Sequence, residues 1–156
     1  MDAVAVEAGF SRQAIYRHFG SRAGLLTELL ESIDVAEGAP RAVQQVLAAK
    51  PGPASIDALF EWWVDYVPRF VGIARGVLAA KHADGDLRLA WDDRMQALLA
   101  VCRAVAERCG AGEEAAQTLW ALLSVPLWIQ LREDAGWSAE QYRRRLSAVA
   151  VAALCG

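Results

Sequence analysis

Arg12, Gln13 and Arg17 stand close together in the chain, beside Tyr16 and His18. Guanidinium and carboxamide groups make paired hydrogen bonds to base edges in a DNA major groove. A phenol, an imidazole and further cations suit phosphate oxygens, which fix register without reading sequence. Ile15 and Phe19, four residues apart, point to the other side of the same predicted helix. The outer face therefore has the composition of a recognition helix. Ser11 offers a hydroxyl to cap its first free N–H groups. Ala14 presents a methyl that can touch a thymine methyl. Ser21 and Arg22 follow at the start of the next helix, as a further hydroxyl and cation for phosphates.

Residues 3 to 26 read as two short helices around a tight turn, then the beginning of a third. Gly9 sits at the reversal, where a backbone that tolerates positive φ is needed. Leu25, Leu26, Leu29 and Leu30 give the third helix a buried stripe. From Gly9 to Leu26 the chain carries Arg12, Arg17 and Arg22 and no acidic residue, although the net charge of the whole is -3. A local cationic stripe on an acidic chain suits a nucleic-acid contact better than general stickiness. Charge alone also leaves open a solvated helix face that carries arginine.

This segment resembles the TetR family of bacterial transcriptional regulators. The matching residues are Val4-Ala5, Ala8-Gly9-Phe10-Ser11, Ala14-Ile15-Tyr16, His18-Phe19, Ser21-Arg22 and Leu25. Phe10 replaces the family's usual Val, Ala14 a frequent Thr or Ser, and Arg22 the usual Lys. The resemblance covers roughly the first 30 residues. It implies that Arg12, Gln13 and Arg17 read base edges, with Ala14 against them. It implies that Ser11, Tyr16, His18, Ser21 and Arg22 grip phosphates. The family places one more helix ahead of the position of Met1. The expected head, residues 1–35, therefore lacks its first helix, and residues 36–156 form a regulatory body.

Composition fits that body. Hydrophobic residues make up 55% of the 156, with 31 alanines and two threonines, which favours helices over strands. The expected class is all-α: a partial helix-turn-helix head on a larger helical body. No apolar run is long enough for a membrane span, and no basic segment precedes an apolar stretch at the start. Cys102 and Cys109 lie about 10 Å apart along one predicted helix, too far for a disulfide. Cys155 falls at an end expected to fray. A cytoplasmic location follows from this cysteine usage. No metal spacing appears, and no cofactor motif. His82, Asp84, Asp86, Asp92 and Asp93 read as a solvated acidic turn rather than a cation loop.

Periodicity places the body helices at 41–49, 54–70, 71–80, 87–109, 113–134 and 138–154. Residues 35–40 read as a breaker between head and body, and residues 81–86 as a loop. Pro68 is expected to kink or end its helix. Ser138 with Gln141 forms a capping box. The 113–134 helix is apolar almost all round from Leu119 to Leu131, so more than one side of it must be covered. The final helix carries Tyr142, Leu146, Val149, Ala150 and Ala153 on one stripe. A dimer interface is expected from that stripe with Leu119, Leu123 and Leu127. In the TetR family the last two helices of each subunit form a four-helix bundle. Two heads on a two-fold axis then match a palindromic DNA operator.

Six tryptophans in 156 residues is a heavy load. The resemblance implies a cavity for a small effector among the middle helices. Trp62, Trp63, Tyr66, Trp91, Trp120 and Trp128 are its candidate lining, suited to a flat apolar ligand or to a cation over π faces. Each of them alone also reads as ordinary core. Pro126 can open a kink beside such a cavity. Asp65 and Arg132 lie beside apolar stripes and suit a mutual pair or a polar ligand group. Three readings follow. The first is a homodimeric repressor of palindromic DNA, retuned by an unknown small-molecule effector. The second is a small-molecule-binding helical dimer whose truncated head does not bind DNA. The third, a helical enzyme, finds no Cys–His pair, metal triad or phosphate loop.

Overall fold

The structure is a computed structural model that describes residues 21–36 and 38–155. Among the described residues seven α-helices run in order: α1 Arg22–Ala36, α2 Ala39–Ala48, α3 Pro53–Ala80, α4 Gly85–Arg108, α5 Glu113–Leu122, α6 Val125–Ile129 and α7 Ala139–Cys155. A π-helical turn, Gln130–Asp134, extends α6. No strand occurs among the described residues. The all-α class expected from composition is what forms.

Local chemistry sets the boundaries. The Ser21 Oγ accepts from the Gly24 N–H at 3.0 Å and caps α1. Asp84 caps α4 through the Leu87 N–H at 3.0 Å, and Asp86 adds negative charge to the first turn. The end of α4 is a left-handed stop. Gly110 has φ 73°, the Ala111 N–H donates to the Ala106 carbonyl at 2.9 Å, and the Gly110 N–H donates to that of Glu107 at 3.0 Å. Ser138 and Gln141 exchange the two bonds of a capping box at 3.1 and 3.4 Å.

Three departures from the sequence reading have physical causes. The breaker at 35–40 shrinks to the immediate neighbourhood of Gly38, whose φ of 62° makes the turn. Helix α1 thus runs to Ala36, and α2 starts at Ala39 with Pro40 in its first turn. Helix α3 continues through Pro68, so 54–70 and 71–80 are one element. Pro68 faces water, while Val67, Phe70, Ala74 and Val77 continue the buried stripe on the other side. The expected 113–134 helix breaks at Leu123 and Ser124. Pro126 fits only a first turn, so the chain restarts there, with Ser124 accepting from the Leu127 N–H at 3.4 Å.

That break lets each piece turn a different face inward. Leu119, Leu123, Val125 and Trp128 all reach the core. Helix α3 is the axis of the body. It packs against α2 and α4, and against α7. Ile56, Leu59, Phe60, Trp63 and Val67 of α3 are almost wholly covered. Tyr142 of α7 donates to the Leu122 carbonyl at 3.1 Å, pinning α7 beneath the end of α5. Ser147 of α7 donates to Asp57 of α3. Helix α7 stays helical through Cys155, whose thiol meets that of Cys109. Helix α1 is the element nearest the N-terminal segment, and it packs on α2, α3 and α4.

Candidate functional site

Where α1 meets α3 and α4, three polar side chains converge at the edge of an aromatic cavity. Asp34 follows Leu26 and Leu30 at intervals of four, so the α1 stripe carries its carboxylate inward. Arg94 lies between the buried Trp91 and Leu98 on α4, which aims its guanidinium at the same place. The two meet in a parallel fork: Nη1 donates to Oδ2 and Nη2 to Oδ1, each at 2.8 Å. The Tyr66 hydroxyl of α3 closes the cluster, donating to Asp34 and accepting from Arg94. The Arg94 guanidinium carbon also lies 5.4 Å from the centre of the Phe70 ring.

The cavity beside this cluster has a volume of about 180 Å³. Its walls are Trp62, Trp63, Tyr66 and Phe70 from α3, with Met95 and Leu98 from α4. Trp62 stacks on Tyr66 at 5.0 Å, with 17° between the planes. Tyr66 meets Phe70 at 4.9 Å. Such a chamber is apolar except at one end, where a charge pair and a hydroxyl converge.

The electrostatics follow from the same contacts. Burial alone would raise the Asp34 carboxyl. The Arg94 and Tyr66 hydrogen bonds and the Arg94 charge outweigh it and hold the group below the usual carboxylate value. Burial, then the bond to Asp34, pushes the Tyr66 phenol up. Burial opposes the charge on Arg94, and its partners more than restore it. All three groups are therefore locked at neutral pH as anion, phenol and cation.

Only part of the expected ligand set meets at this cavity. Trp62, Trp63 and Tyr66 line it. Trp91 and Trp120 line a separate hollow of about 350 Å³ between α4 and α5, next to Pro126. Trp128 is core, 4.9 Å from Tyr142, with Arg132 over its ring at 5.4 Å. The six aromatics fall in three places because they come from four different helices, α3, α4, α5 and α6. Asp65 and Arg132 do not pair. Asp65 points to water, and Arg132 donates to the Trp137 carbonyl.

The expected interface set also divides. Leu119, Leu123, Tyr142 and Ala150 have no exposed surface, and Leu146 has 7%. The chain's own core covers them, so a partner could not meet them. Leu127 is half-buried, Val149 is 51% exposed and Ala153 is exposed. Ser11, Arg12, Gln13, Ala14, Tyr16, Arg17 and His18 lie outside the described residues. Ser21 is half-buried as the α1 cap, and Arg22 opens that helix.

Asp34, Phe70, Arg94 and Met95 were missing from the sequence reading of the site. The signal for two of them was there: an acid on the Leu26–Leu30 stripe and an arginine on the Trp91–Leu98 stripe, each where an apolar residue is due. Among the described residues, no group of three or more His, Cys, Asp or Glu is placed to hold a metal. No helix among them is long and apolar enough to cross a membrane.

Residues 1–29 match a family model described as bacterial regulatory proteins, tetR family. The match ends within α1. No curated protein and no solved structure matches the chain. The resemblance carried by Ala8-Gly9-Phe10-Ser11 and Tyr16-Arg17-His18-Phe19 is thus met by the family model, and it points to a TetR-type transcriptional regulator.

Proposed function

We propose that this chain is a homodimeric TetR-type repressor that leaves a palindromic operator when a small effector enters the α1–α3–α4 cavity. Residues 1–35 serve as the DNA-binding head and residues 36–156 as the body. Ser11, Arg12, Gln13, Ala14, Tyr16, Arg17, His18, Ser21 and Arg22 form the DNA contact. The observation that carries the reading is the position of Asp34. It stands on the helix in which the family match ends, and its carboxylate is held by Arg94 and Tyr66 of the body. A ligand that disturbs this clamp binds α1 held by the body and α1 released from it with different affinities, which is what coupling between sites requires.

The dimer rests on the outer face of α7. Ala148, Val149, Ala152 and Ala153 are exposed there, a strip of small and apolar side chains that permits close helix approach. Two such strips on a two-fold axis give an isologous interface.

The test is fluorescence anisotropy of labelled palindromic DNA from the surroundings of the gene, at two salt concentrations. Selective binding that weakens steeply with salt is the expected result. Absence of binding by a chain that is dimeric in sedimentation would overturn the repressor and leave a ligand-binding dimer.

A further inference from the structure

We propose that the cavity takes a small aromatic carboxylate, and that its carboxylate replaces that of Asp34 on Arg94 and Tyr66. The proposal rests on reading this cavity as the effector site and adds the chemical class of the effector.

The polar end of the cavity is already a carboxylate receptor. It offers two parallel guanidinium N–H groups and a phenol hydroxyl, and Asp34 occupies all of them. A ligand carboxylate reproduces the same bonds atom for atom, so the exchange leaves no donor unpaired. The two halves of the ion pair are not equally free to leave. Arg94 sits mid-way along α4, with 18% of its side chain exposed and its guanidinium over Phe70. Asp34 is near the end of α1, with 29% of its side chain exposed, one turn from Gly38. Asp34 can return to water, whereas Arg94 stripped of an anion would stay buried among aromatic rings at a high desolvation cost. The exchangeable position is therefore the anionic one.

A cationic ligand fits poorly. Both Asp34 oxygens are taken by Arg94 at 2.8 Å, and a second cation would stand beside that guanidinium. Size fixes the rest. An apolar cavity of about 150 Å³ holds a benzene molecule. The 180 Å³ here, walled by Trp62, Trp63 and Phe70, therefore suits one ring with a short acidic arm.

An internal competitor leaves a signature of opposite sign on its two sides. Benzoate, benzamide and benzylamine are titrated calorimetrically into the full chain, its Asp34→Ala and Asp34→Asn variants, and Arg94→Met. Benzoate is expected to bind the parent chain, and about tenfold or more tighter once Asp34 no longer holds the receptor, since apparent affinity scales with the competent fraction. Arg94→Met is expected to lose benzoate. Circular dichroism checks each fold, and the near-isosteric Asp34→Asn serves if Asp34→Ala does not fold. Benzamide or benzylamine binding where benzoate does not would overturn the carboxylate class and spare the effector cavity. Weaker benzoate binding without Asp34 would overturn the competition. If none of the three binds any form, the proposal and the effector reading of the cavity both fall.

Discussion

At the scale of residues, the chain's chemistry is concentrated in Asp34, Tyr66 and Arg94. The Asp34 carboxyl titrates below its ordinary value of 3.8 when folded. A depressed folded pKa contributes stability above the unfolded value, and that contribution is lost as pH falls through the folded one. Asp34→Asn should therefore cost about 1 kcal/mol near neutrality, the loss of a charge-assisted bond discounted for its solvent access. The gap between the two thermal midpoints should close as pH drops below about 4, and an unchanged gap would contradict the ion pair. In the head, Arg17→Ala should relax base preference at one operator position, costing about 1–3 kcal/mol there. Tyr16→Phe should weaken binding to all sequences alike. If both variants select bases as the parent does, the recognition-helix assignment fails. Tyr66 was legible as a site residue because it belongs to the aromatic load of the body, beside Trp62 and Trp63. Its two partners were not assigned, because pairing across helices 32 and 28 residues away is a property of packing, which periodicity does not encode.

At the scale of elements, helix existence was readable and helix continuity was not. The residues from Glu113 onward show an unbroken apolar pattern, yet the chain stops at Leu122 and restarts at Val125. Pattern alone cannot separate a helix apolar all round from two short helices facing different ways. The deciding residues are Ser124 and Pro126, a cap followed by a first-turn proline. Ser124→Ala should remove the bond to the Leu127 N–H and destabilise the body by about 0.5–1 kcal/mol, readable in urea unfolding. No change in the midpoint would mean that Pro126 sets the break alone. Pro68 taught the reverse lesson. A helix carried by buried residues on both sides of a solvent-facing proline continues through it, because burial of Phe70 and Val77 outweighs one missing backbone bond.

At the scale of the whole molecule, three buried acids make the fold sensitive to alkali. Burial pushes the Cys102 thiol from 9.0 to about 12. Burial, slightly opposed by the Trp63 indole, pushes the Tyr142 phenol from 10.0 to about 12. Tyr66 is raised as well. A raised folded pKa contributes stability that is complete below the unfolded value and lost as pH climbs through the folded one. The thermal midpoint should hold up to about pH 9 and fall progressively toward 12. In Cys102→Ala that fall should be shallower, and an equal slope would place the sensitivity elsewhere. For assembly, Val149→Arg on the exposed face of α7 should shift the sedimenting species from dimer to monomer while the helical signal stays intact. A dimer that survives the arginine would move the interface off α7. The sequence showed that the last helices carry more apolar surface than one side can bury. Which residues remained for a partner depended on the break at Ser124, which turned Leu119 and Leu123 into the chain's own core.

The face-to-face stack of Trp62 on Tyr66 has a practical side. Trp62 is half-buried and lines the cavity wall, and its stacking partner is the phenol that holds Asp34. An excited indole is dimmed or brightened by what its neighbouring ring is bonded to and by the polarity of the space beside it. The chain has six tryptophans, so the contribution of Trp62 is read as the difference in emission between the parent chain and Trp62→Phe. That difference reports, without any label, what stands beside the Tyr66 ring.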